Sequence, residues 1–213
     1  IHYRFMAYQS IWYFTDLPKK VVDILEDELI EHYDDKLKDS LIAGNNLDIK
    51  KRNSKNAWVP AHHWIGGFIW NYIDRANREN FLYDVKNIDG QNMQYTQYGP
   101  GEFYGWHNDE GIASQYKPIS SNDSHNIEGR ATDFINSNIA SIRKLSFIMQ
   151  LSDPDDYEGG NVILLTEGGE KYVVPRQRGT VIIFDSRTMH CVNKVKKGLR
   201  KSLVAWAVGP RWK

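Results

Sequence analysis

An α+β fold, in which short β-strands wind into a jelly roll or barrel behind N-terminal helices, is predicted by two features of the 213-residue sequence. Up to about residue 80 apolar residues recur with helical period. Beyond it, short runs rich in Val, Ile, Phe and Tyr alternate with Gly, Pro, Asp and Asn punctuation. The length suits one domain over residues 1–213, with mainly helical support over 1–80 and a strand core over 81–213.

The segment DLPKKVVDILEDELIEHY places Val21, Val22, Leu25, Leu29 and Ile30 at helical spacing, with Asp16 as the expected N-cap. A charged connection, LKDSLIAGNNLDIKKRNSK, leads to WVPAHHWIGGFIWNYIDRANREN. There Trp64, Ile65, Phe68, Ile69, Tyr72 and Ile73 predict a second helix. FLYDV and NMQYTQY read as strands about a turn-like NIDG. EFYGWHND, KLSFIMQL, NVILLT, EKYVV, TVIIF and KSLVAWAV continue the strand series. The polar stretch at about 112–140 is too long for an ordinary connection and reads as an insertion near the barrel mouth, either a lid or a plain surface loop.

The 27 basic residues cancel the 27 acidic ones, which argues against the global positive field of a nucleic-acid binder. No stretch approaches the roughly 20 apolar residues of a membrane span, and the opening IHYRFMAYQSIWYF lacks a basic segment followed by an apolar run. The single cysteine, Cys191, excludes an internal disulfide framework and fits a reducing compartment. A soluble, cytoplasmic protein without membrane or nucleic-acid partners is expected.

Chemistry concentrates in two places. In FYGWHNDEG, His107 and Asp109 are two apart, so on an extended strand both side chains leave the same face. In TVIIFDSRTMH, a strand and a turn at Asp185 and Ser186 lead to His190 at the start of the next strand. Two imidazoles and one carboxylate on one side of an ion suit Fe(II) with open positions, and suit hydrolytic zinc as well. Arg200 lies ten positions past His190, across Lys196-Lys197-Gly198, which read as the turn of a hairpin about residue 195. Such a hairpin would bring beside the metal a planar, permanent cation able to pair with a carboxylate of a dicarboxylic co-substrate. Ser202, on the same strand face, offers a further hydrogen bond.

From Met93 to Pro210, through YGPGEFYGWHND, RKLSFIMQLSDPDDYEGGNVILL and RGTVIIFDSRTMHCVNKVKKGLRKSLVAW, the sequence resembles the Fe(II)- and 2-oxoglutarate-dependent dioxygenases, especially their prolyl 4-hydroxylase-like, PKHD-type branch. The resemblance implies a double-stranded β-helix, a distorted jelly roll, packed on helices. It implies Fe(II) on His107, Asp109 and His190, and 2-oxoglutarate chelating the iron and reaching Arg200. O2 would be the oxidant, with L-ascorbate as a reductant. Asp109 favours hydroxylation, since related halogenases lack a carboxylate at that position.

By the same resemblance Tyr98 hydrogen-bonds the co-substrate, while Tyr104 and Trp206 either face the substrate or pack the barrel. The branch favours a proline within a peptide or protein as substrate; a free amino acid or other small molecule is the alternative. A jelly-roll module that binds metal without turnover is the competing class, and the complete set of His107, Asp109, His190 and Arg200 argues against it. His62 and His63 cannot share one helix face and read as packing or surface groups. Cys191 follows His190 and should face away from the metal. Asp153, Asp155, Asp156 and Glu158 read as a turn between strands in preference to a calcium loop.

Overall fold

The computed structural model describes residues 10–40, 48–89, 92–110 and 141–212; the 112–140 insertion lies outside them. In chain order the elements are β1 Ile11–Phe14, α1 Lys19–Tyr33, β2 Lys38–Asp39, β3 Arg52–Asn53, β4 Lys55–Pro60, α2 Trp64–Ala76, β5 Asn87–Ile88, β6 Asn92–Tyr98 and β7 Phe103–His107. There follow β8 Ile142–Gln150, β9 Tyr157–Gly159, β10 Val162–Leu165, β11 Lys171–Val173, β12 Val181–Asp185, β13 His190–Val192, β14 Val195–Gly198 and β15 Arg200–Gly209. No helix among the described residues is long and apolar enough to cross a membrane.

The strands form a large sheet in the order β1-β12-β8-β15-β6-β4-β2, with β5 also on β15, and a smaller one in the order β11-β10-β13-β7-β3. β14 and β9 make a separate pair. This is the expected jelly-roll arrangement of helices behind two antiparallel sheets.

Period-two alternation on β15 separates two interiors. Leu203, Ala205 and Ala207 join Tyr95, Phe147, Met149 and Ile183 against Leu25, Leu29, Ile65 and Ile69 of the two helices. Arg200, Ser202, Val204 and Trp206 take the opposite face. The register sets them beside Tyr98, Thr96 and Gln94 of β6 and beside Gln150, Ile148 and Ser146 of β8. On that face Tyr98, Ile148, Ile182 and Phe184 pack against Val162, Leu164 and Val192 of the smaller sheet. One side of the large sheet is therefore an apolar bed for the helices. The other is a mixed interior with polar groups where β6, β8 and β15 run together.

Several expectations need correction. Asp16 does not cap α1. Pro18 does, its carbonyl accepting from the Val21 and Val22 amides at 2.9 and 3.3 Å, with no side-chain cap. Proline has no N–H to orphan there, and Asp16 lies outside the first turn. Besides its two helices, the 1–80 region contributes β1 and β4, which extend the large sheet through β12 and β6. The sequence pattern divides β4, ending the charged connection at Lys55 and opening the second helical segment at Trp58, yet the strand is continuous and buries Ala57 and Val59.

FLYDV is no strand. The Asn77 side chain bonds both the N–H and the C=O of Tyr83, each at 2.8 Å, and Leu82 turns at φ 55, so the segment closes the helical region. Lys196–Gly198 forms no hairpin turn either; it lies within β14, which pairs with β9. Gly198, at φ 75, passes so close to Asp156 that a Cβ would meet its carbonyl oxygen at 2.0 Å. There the chain leaves β14 and enters the large sheet.

Candidate active site

His107 and His190 are cross-strand partners in β7 and β13, with ring centroids 4.1 Å apart. Each Nδ1 lies against a backbone carbonyl two residues earlier, His107 at 2.7 Å from Gly105 and His190 at 2.9 Å from Thr188. A donating Nδ1–H fixes the tautomer and leaves the Nε2 lone pair to a ligand. Both Nε2 atoms point at one carboxylate: His107 is 3.7 Å from Asp109 Oδ1, and His190 is 3.4 Å from Oδ2. One ligand atom from each residue lies within 4.8 Å of the others.

Asp109 reaches this position from beyond the end of β7. Its amide donates to the Ser186 carbonyl at 2.8 Å, and Ser146 Oγ donates to its Oδ2 at 2.7 Å. Burial raises the carboxyl pKa, but the two imidazoles, Arg143 and Ser146 overcome this and hold it below the usual range. Burial, then the neighbouring His190, pushes His107 down to about 4. A neutral His107 imidazole beside an ionised Asp109 carboxylate is the pairing of protonation states that ligation of a divalent cation requires.

Arg200 lies at the other end of the same interior. It is 1% exposed. Its Nη2 donates to Gln150 Oε1 at 2.9 Å, Nη1 reaches Ser202 Oγ at 3.4 Å, and Nε has no hydrogen-bond partner. Its Cζ stands 5.4 Å from the Tyr98 ring centroid, and burial lowers its pKa. No carboxylate pairs with it among the described residues. A buried guanidinium with neutral partners is costly, and an anionic ligand would offset the cost. The donor set thus suits a metal held by His107, Asp109 and His190 and a carboxylate-bearing molecule held by Arg200, Ser202 and Tyr98. It is β15 in the large sheet, not a hairpin, that carries Arg200 to this interior.

The remaining residues fall as follows. The Tyr104 ring stacks on His107 with centroids 3.5 Å apart and an interplanar angle of 16°. Trp206 is 7% exposed, lies under the Arg143 guanidinium at 3.9 Å, and stands 6.5 Å from the half-exposed Trp58. Cys191 is buried beside β10. His63 caps α2 and meets Glu28 at 3.0 Å, while His62 is exposed. Asp153 caps the short turn Pro154–Asp156.

Sequence reasoning passed over Ser146, Gln150 and Arg52. Ser146 and Gln150 are the polar interruptions in the apolar run LSFIMQL, and that interruption was the signal available.

A family model described as the 2OG-Fe(II) oxygenase superfamily matches residues 93–208. Similar curated proteins include a PKHD-type hydroxylase of Synechococcus sp. (strain CC9605), 36% identical over 106 residues, which make up 50% of this chain and 36% of that protein. Another, of Picosynechococcus sp. (strain ATCC 27264 / PCC 7002 / PR-6), is 31% identical over 137 residues, 63% of this chain and 50% of that protein. The chain thus spans between about a third and a half of the length of these relatives. Among solved structures, a Pseudomonas putida prolyl-4-hydroxylase matches with TM-score 0.64 and 16% identity, over 96% of this chain and 94% of that one. A Trichoplax adhaerens prolyl hydroxylase, in complex with a hypoxia inducible factor peptide fragment, matches with TM-score 0.68 and 15% identity, over 93% of this chain and 83% of that one. At such identities these structures support the double-stranded β-helix fold.

Proposed function

Because the chain belongs to the 2OG-Fe(II) oxygenase superfamily, we propose that residues 1–213 form one catalytic domain of an Fe(II)- and 2-oxoglutarate-dependent hydroxylase. His107, Asp109 and His190 hold the iron; Arg200, with Ser202 and Tyr98, holds the far carboxylate of 2-oxoglutarate. When bound, iron and co-substrate supply oxidative decarboxylation to succinate and CO2 coupled to hydroxylation of a substrate C–H bond, with L-ascorbate as a reductant. The observation that carries this reading is Arg200: a cation 1% exposed, with only neutral partners, on the sheet face that also presents Ser146 to the metal triad.

The chain's own residues orient and exclude. Gly105 and Thr188 carbonyls fix the imidazole tautomers, while Ser146 and the Ser186 carbonyl fix Asp109. Phe184 and Tyr104, packed on His190 and His107, keep water from the ligand rings. Asp109, as a third protein ligand, suits hydroxylation.

For the substrate we propose a prolyl residue in a peptide, supported by the PKHD-type relatives and by the peptide named in the Trichoplax complex. The buried Cys191, the one cysteine, suits a cytoplasmic setting. The test is anaerobic addition of Fe(II) and 2-oxoglutarate, read by the weak visible band of the chelate. Incubation under air with proline-containing peptides follows, read by mass spectrometry. A band and a gain of one oxygen on proline are expected. No band and no succinate would overturn the enzyme reading, and turnover of free amino acids alone would overturn the peptide.

A further inference from the structure

Two arginines near the interior between the sheets are matched with a carboxylate: Arg143 donates to Asp89 at 2.6 Å, and Arg200, whose partners within the fold are neutral, is assigned the co-substrate carboxylate above. Arg52 has none among the described residues. It is 6% exposed; its Nε donates to Ser54 Oγ at 3.0 Å and its Nη2 to Gln94 Oε1 at 2.9 Å. Two neutral dipoles compensate a buried guanidinium poorly.

Its position is beside the metal triad. Arg52 on β3 is the cross-strand partner of Tyr104 on β7. The guanidinium stands 4.7 Å from the Tyr104 ring centroid, and that ring lies on His107. Gln94, which orients the fork, shares the interior face of β6 with Thr96 and Tyr98. Its partner across β4 is the half-exposed Trp58, which meets Trp206 at 6.5 Å. The fork therefore lies over Tyr104 of the smaller sheet and, through Gln94, adjoins the strand position of Trp58 on the larger one; Gln94 pairs with Val204, four residues along β15 from Arg200.

We propose that Arg52 receives a carboxylate of the substrate, so that the accepted molecule carries an anionic group close to the carbon that is hydroxylated. This rests on the hydroxylase reading and narrows it. A peptide would supply the carboxylate from an Asp or Glu side chain beside the target residue or from a free C-terminus; a free amino acid would supply its own. With Nε and Nη2 held by Ser54 and Gln94, Nη1 is left to donate, in a setting where a charge-assisted bond is strong. The competing role is structural, with Arg52 tying β3 to β6 through Gln94 and supporting Tyr104. That role involves no preference for charge in the ligand.

The experiment measures binding by tryptophan fluorescence, without oxygen, to protein loaded with Mn(II) and 2-oxoglutarate. The probes are an N-acetylated, C-amidated Gly-Pro-Glu-Gly peptide and its Gln counterpart, Gly-Gly-Pro with a free and an amidated C-terminus, and proline against prolinamide. At least one carboxylate probe should bind about tenfold or more tighter than its neutral twin, the scale of one charge-assisted hydrogen bond. Which pair discriminates identifies the source of the carboxylate. Arg52→Gln should erase that preference and Arg52→Lys should keep part of it, while thermal unfolding of each variant reports any loss of fold.

Equal binding of every pair by wild-type protein would overturn the proposal, as would a preference that survives in a folded Arg52→Gln protein. Should Arg52→Gln not fold, Arg52→Lys and the wild-type pairs decide. The Mn(II) readout needs no turnover, so its failure is separable from absence of the Fe(II) chelate band, which counts against the hydroxylase reading itself.

Discussion

The hydroxyl of Ser146 stands 2.7 Å from Oδ2 of Asp109 and 3.0 Å from the hydroxyl of Ser186, and so joins β8 of the large sheet to the carboxylate beyond β7 of the smaller one. Asp109 is thereby aimed before any ion arrives. Groups that hold a ligand in this way commonly contribute 10–100-fold in metal affinity, roughly 1.4–2.8 kcal/mol. Ser146→Ala should weaken Fe(II) or Mn(II) binding by about that factor, measured by metal titration. Unchanged affinity would show that Asp109 needs no such support.

Asp109→Ala should remove the visible chelate band and all hydroxylation while changing the thermal midpoint little. The residue lies beyond a strand end and fills no apolar core, so no cavity follows its truncation. Circular dichroism and thermal melting check the fold. Wild-type activity in this variant would refute the metal assignment.

Arg200→Ala should raise the 2-oxoglutarate requirement by roughly 2–5 kcal/mol, the scale for truncating one partner of a buried charge pair. Arg200→Met separates binding from stability. It too should lose co-substrate affinity, yet without 2-oxoglutarate its thermal midpoint should match or exceed wild type. It fills similar volume and removes a buried cation with no acidic partner. Calorimetry with 2-oxoglutarate and a thermal melt provide the two readings; a marked drop in the midpoint would mean that Arg200 is compensated within the fold.

The turn that carries Ser186 and Thr188 should make stability depend on acid. Burial raises the Asp185 pKa, but Arg187 and Tyr83 outweigh it, the latter donating at 2.6 Å, and the carboxyl is held below its ordinary value. A depressed folded pKa contributes stability that is present above the unfolded value of about 3.9 and is lost as pH falls through the folded one. Arg187→Gln should therefore be less stable than wild type near neutral pH, with the gap closing below about pH 4. Urea unfolding from pH 7 down to 2.5 tests this. A gap constant with pH would exclude Asp185 as its source.

Much of this protein was legible in its sequence because the relevant signals are local. Helical period in VVDILEDELI and IGGFIWNYI, and short β-rich runs between Gly, Pro and Asp, determined both helices and the strands β6 to β8 and β10 to β13, together with β15. Residue type and spacing likewise singled out His107, Asp109, His190 and Arg200 as the candidate site, and the ligand atoms of the first three lie within 4.8 Å of one another. What tertiary structure alone decided is how those groups meet. Residues 55–60 join the large sheet only because β6 offers a partner edge, and FLYDV leaves the strand series only because Asn77 grips Tyr83. A hairpin inferred from ten residues of separation gave way to two different sheets, joined through β14, whose packing brings Arg200 to the triad's interior. Ser146, Gln150 and Arg52 acquired roles in the same way. Each is an ordinary polar residue in sequence, and its effect on a charge depends on burial and distance, which only the packed sheets set.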